Sequence, residues 1–246
     1  MPRPWGQNDR FYVHLSKKMN FLSHYYFDQS SNSYRVLGTL LPDLTANAQK
    51  EWKLYPQKNP QLFENDAKLK AILKGWNRHL AVDKYFHSSA FFTTHSQQLS
   101  AKLRPILQNS PVKAYFLAHI SLELLLDGLL LKNNKVSTEA FYSHLAACDV
   151  EKIVQFLELN LVEDTRPFTL YFERFCSSAY LNSYRETEKI AYALHRICLR
   201  VWPESLTEAE QVEITKVLVA YQDELAPVYL EIFNEISTAL ALETKQ

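Results

Sequence analysis

The chain has 246 residues, 47% of them hydrophobic and 13% aromatic, with four glycines and ten prolines. That is enough apolar material for a sizeable core and too few turn formers for a β-rich architecture. Lys+Arg and Asp+Glu are equal at 27 each, so no overall field draws the molecule to nucleic acid or an anionic membrane, and a charged partner must be met by a local patch.

Met1–Lys18 is polar and irregular, with Pro2, Pro4 and Gly6 and no apolar stretch of the secretory type, and reads as a poorly ordered lead-in. From residue 19 to 246 the pattern is that of one α-helical domain. Asn20–Phe27 is followed by a polar turn, Asp28–Ser33, and Tyr34–Ala48 carries an apolar face. Pro56, Asn59 and Pro60 mark a loop. Leu62–His87 reads as one long helix and Ser96–Leu107 as the next. Val112–Lys132 is the most apolar helix, as a central one would be. Its longest apolar run, around Leu122–Leu131, is interrupted by Glu123 and Asp127 and falls short of a membrane span. Ser137 is placed to cap a helix running over Ala140–Asn160, and Phe168–Leu181 and Ser183–Val201 follow. Leu206–Leu242 closes the chain behind a capping box of Thr207 and Glu210, and Pro227 should kink or split it. The expected fold is all-α, a single-domain bundle of roughly eight to ten helices. Cys148, Cys176 and Cys198 have neither CxxC nor Cys/His ligand spacing, which fits a reduced, cytoplasmic setting.

Two triplets can carry chemistry. His79, Asp83 and His87 stand at i, i+4 and i+8, and each step of four advances only about 40° around a helix, so they share a face. His119, Glu123 and Asp127 repeat the spacing. Packed side by side, two such helices would converge imidazoles and carboxylates, a donor set suited to Mn²⁺, Fe²⁺ or Zn²⁺, or to Mg²⁺ where carboxylates dominate. Glu123 and Asp127 lie inside SLELLLDGLLL, where a buried carboxylate needs a cation, a metal or a proton. An ion pair with Arg78, Lys113 or Arg185 explains them as well as a metal does. Ser23 and His24, being adjacent, point about 100° apart and make a poor nucleophile and base. Gly38, alone in its helix, reads as a point of close packing.

Four segments, in order, resemble the acyl-carrier-protein phosphodiesterase family. MNFLSHYYFD followed by LGTLLPDL and Asn47 is similar to the family's MNFLAHLxLA…GNLLxDFxxGN opening. GWNRHLAVD, Gly75–Asp83, is similar to its GIxxHRxID segment. Glu123–Asp127 falls where the family has an acidic residue and, four positions on, Asp-His. Tyr180–Arg185, with Glu188, Ile190 and Leu194, resembles its aromatic-Leu-x-x-Tyr-Arg helix. The resemblance runs from Met19 into the 230s and implies a helical fold of the HD-domain type found in metal phosphohydrolases. It also implies hydrolysis of the phosphodiester joining 4′-phosphopantetheine to a serine of holo acyl carrier protein. The cofactor would be a divalent metal, Mn²⁺ first, with Mg²⁺ or Fe²⁺ as alternatives.

By matching position the resemblance makes His24, Asp43, His79, Asp83 and Asp127 metal or catalytic residues, with Glu123 as a further ligand. Arg185 would hold the phosphate or brace an acid, and Arg78, His119 and Tyr184 complete the set as substrate-binding candidates. Two positions depart from the family: Gly128 stands where it has a histidine after the aspartate, and His87 where it has an aspartate. His119 lies nine positions before Gly128, on the opposite side of the helix, and does not replace that imidazole. A carrier's acidic helix would need a basic landing surface, for which Arg78, Lys102, Arg104 and Lys113 are candidates. Two other readings stay open: an HD-type phosphohydrolase acting on another phosphoester or nucleotide, and a helical module that binds a carrier or lipid-like arm without cutting it. No nucleic-acid partner and no membrane span are expected, and the oligomeric state is left open.

Overall fold

The structure, a computed structural model, describes residues 21–202, 204 and 206–243; the expected irregular lead-in over 1–18 lies outside them. Among the described residues there is no strand, and the chain is all-α. Its helices are α1 (Phe21–Tyr26), α2 (Ser33–Ala48), α3 (Ala67–Ser88), α4 (Ala90–Leu103), α5 (Ala114–Lys132), α6 (Thr138–Ala146), α7 (Val150–Leu159), α8 (Arg166–Ser178), α9 (Thr187–Leu199), α10 (Glu208–Leu225) and α11 (Leu230–Glu243).

Local chemistry sets boundaries that periodicity places differently. Pro60–Phe63 is a separate 3₁₀ turn, and α3 begins only at Ala67, where Asp66 accepts hydrogen bonds from the amides of Lys68 and Leu69. α4 starts at Ala90 rather than Ser96 because the Ser89 hydroxyl accepts from the Phe92 amide, and it ends at Leu103. The expected helix Ala140–Asn160 is two helices, the second capped by Asp149, whose carboxylate accepts from the Glu151 amide. α8 stops at Ser178, where Ala179 turns left-handed at φ 45°, and Tyr180–Arg185 is a 3₁₀ turn before α9. Thr207 and Glu210 do form the capping box. Past it, the chain breaks between Leu225 and Leu230 with a bend of 60°, so Pro227 marks a split.

Contacts divide the chain into two compact units. The first comprises Phe21–Val82 and Asn133–Asn182. In it α2 packs on α1, α6 and α8, and α6 packs on α8. Phe21 meets Phe175 and Tyr25 meets Phe141, with ring centroids 4.8 and 5.5 Å apart. Where α2 meets α3, Gly38 faces Gly75: a Cβ on Gly38 would lie 2.2 Å from the Ile72 carbonyl oxygen, and one on Gly75 would lie 2.1 Å from that of Arg35. Only two glycines allow backbones this close.

The second unit comprises Asp83–Lys132 and the segment from Ser183. Its centre is α5, packed against α4, α9 and α10, with α11 on α4. By length and composition α5 is able to cross a membrane, which corrects the reading that no stretch reaches that length. Yet 78% of its apolar window is buried inside the protein. It is apolar all round because helices surround it.

Candidate functional site

Within the first unit, α1, α2 and α3 each send one side chain to a single point. His24, Asp43 and His79 offer ligand atoms that all lie within 4.8 Å of one another. His24 Nε2 is 3.9 Å from one Asp43 oxygen and His79 Nε2 is 4.0 Å from the other. The two imidazoles stack, centroids 3.8 Å apart and 15° from parallel. All three residues are buried. The glycine crossing explains the convergence, since Asp43 stands just over one turn beyond Gly38 and His79 just over one turn beyond Gly75.

His79 is also oriented. Its Nδ1 lies 2.8 Å from the Thr39 carbonyl oxygen. A carbonyl only accepts, so Nδ1 carries the proton and, in the neutral ring, the lone pair sits on Nε2, facing Asp43. A backbone acceptor on the far nitrogen is the usual support of a metal-bound histidine. Two donors bound to one first-row ion at about 2.0–2.2 Å are at most about 4.4 Å apart. Separations of 3.9 and 4.0 Å fall inside that limit, and these residues fit a divalent metal.

A second group forms in the other unit, where His87 at the end of α3 meets His119 and Glu123 of α5. His119 Nε2 lies 3.0 Å from Glu123 Oε1 and His87 Nε2 4.0 Å from the same oxygen. Phe92 packs edge-on against both imidazoles, at 4.9 and 4.8 Å. Burial, helped by the His87 charge and opposed by that of Asp83, pushes the His119 pKa down to about 3. His119 is therefore neutral at physiological pH.

The remaining candidates are spread over other surroundings. Asp83 is half-buried, while Asp127 is buried on α5; neither group of three contains them. Arg185 donates from Nη1 to the Leu131 carbonyl oxygen at 2.6 Å, which sets its charge at the C-terminal end of α5. Tyr184 is buried. Arg78 is half-buried on α3 in the first unit. Lys102 pairs with Glu224 at 2.8 Å. Arg104 and Lys113 line one open cleft of about 330 Å³ in the second unit. Sequence reading missed Thr39, whose contribution is a backbone carbonyl that leaves no mark in the side-chain pattern.

A family model described as acyl carrier protein phosphodiesterase matches residues 19–236. The chain belongs to this family. No match was found among curated proteins or among solved structures.

Gly128, which the resemblance sets against a histidine, is closely packed within the second unit. A Cβ on Gly128 would lie 2.8 Å from the Tyr184 carbonyl oxygen and 2.9 Å from Ile190 Cδ1. Any side chain there would force the Tyr184 backbone to shift.

Proposed function

We propose that this member of the acyl carrier protein phosphodiesterase family hydrolyses the phosphodiester between 4′-phosphopantetheine and a serine of holo acyl carrier protein. Water adds to phosphorus, the bond to the serine oxygen breaks, and that oxygen takes up a proton, leaving apo carrier and 4′-phosphopantetheine. His24, Asp43 and His79 would hold the divalent ion, Mn²⁺ first. When bound, such an ion neutralises phosphodiester oxygens and lowers the pKa of a coordinated water.

The observation that carries this reading is the oriented His79, with Nδ1 committed to Thr39 and Nε2 facing Asp43, inside a chain of this family. Asp43 brings the negative charge that an ion needs, and the burial of all three side chains keeps bulk water from competing for them. Asp83, Asp127 and Arg185 keep catalytic roles in the proposal by their place in the family pattern. Arg104 and Lys113 supply a basic cleft of the kind an acidic carrier helix would meet.

Carrier mass tests the proposal. Incubation of holo carrier with the protein and Mn²⁺ should remove the mass of phosphopantetheine, and His79→Ala should abolish the loss. A carrier of unchanged mass with Mn²⁺, Mg²⁺ and Fe²⁺ alike would overturn it.

A further inference from the structure

We infer that His87, His119 and Glu123 form a second metal site, specific for a borderline first-row dication and for Zn²⁺ in the first place. The inference does not rest on the phosphodiesterase reading: all three residues belong to the second unit, and none takes part in the group of His24, Asp43 and His79.

Three observations carry it. The ligand atoms, two imidazole nitrogens and a carboxylate oxygen, lie within 4.8 Å of one another. Both imidazoles approach the same oxygen, Glu123 Oε1, from α3 and α5, at 4.0 and 3.0 Å. Phe92 stands edge-on to both rings and limits their rotation. Two nitrogens among three donors disfavour Mg²⁺ and Ca²⁺, which take oxygen, and suit Zn²⁺, for which two histidines and a glutamate are a known open-site donor set. The side chains of His87 and His119 stay 18% and 14% exposed, which leaves a fourth position for water or a ligand oxygen.

The test is Zn²⁺ binding to the full chain carrying His79→Ala, which disables the other group, followed by addition of His119→Gln or Glu123→Gln. The His79→Ala chain should bind one Zn²⁺. Each second substitution should weaken that binding by at least about 100-fold, because loss of even an outer-shell partner costs about 10–100-fold. X-ray absorption of the bound Zn²⁺ should show imidazole scattering from two rings. If His79→Ala does not fold, the same comparison in the unsubstituted chain reads as one Zn²⁺ fewer per chain for either variant. Equal Zn²⁺ content with and without His119 and Glu123, or absence of imidazole scattering, overturns the inference.

Discussion

Whether a buried histidine acts as ligand, base or packing residue depends on what holds its second nitrogen. At His79 the holder is the Thr39 carbonyl, and that one bond fixes the tautomer. His95 is held differently: its Nδ1 lies 2.8 Å from the Tyr221 hydroxyl and its ring packs 4.2 Å from that of Phe91. Burial lowers its pKa below the ordinary 6.5, with the Glu231 charge opposing. As pH falls through 6.5 the unfolded chain takes up this proton before the folded one does, so folding stability is lost on acidification below that point. Urea unfolding across that pH range should show a steeper acid loss for the natural chain than for His95→Asn. Parallel slopes would mean that His95 takes up its proton over the same pH range in the folded and the unfolded chain, and would overturn the shift.

Helix packing, rather than helix formation, builds both groups of ligands. All three glycines among the described residues sit inside helices where an added Cβ would come within 3.0 Å of another element. Gly38→Ala would force α2 off the Ile72 carbonyl. Overpacking of this kind costs about 1–3 kcal/mol, and it should also weaken metal binding, because Asp43 rides on α2 and His79 on α3. Urea unfolding and Mn²⁺ titration of the same variant check the two effects, and a variant as stable and as metal-competent as the natural chain would contradict the crossing. Much of the helical layout was legible, since the capping box at Thr207 and the break at Pro227 are local chemistry that a sequence displays. The break before Asp149 was not, because Ala146, Ala147 and Cys148 interrupt no apolar period. The candidate sites were legible as residues and not as groups. Spacing put His79 and His87 on one face, whereas packing gives each of them different partners in a different unit. No period within one helix reports which neighbour a side chain will meet.

At the scale of the whole chain, balanced charge leaves no long-range field to favour one unit over the other, and neither unit is a continuous stretch of sequence. Each ligand group, however, lies wholly within one unit: His24, Asp43 and His79 in the first, His87, His119 and Glu123 in the second. A ligand that binds only the folded state stabilises it by about 2.7 kcal/mol at a hundred times its dissociation constant. For amides that exchange by opening the region that carries the site, this is about a hundredfold slowing. Saturating Mn²⁺ should therefore slow hydrogen exchange most in peptides from α2 and from the α3 residues up to Val82, with the effect lost in His79→Ala. Peptides from α4 and from the part of α5 around His119 should respond instead to Zn²⁺ and lose that response in Glu123→Gln. Mn²⁺ protection that survives His79→Ala unchanged would remove His79 from metal binding, because no ligand can stabilise a region through a residue that no longer contacts it.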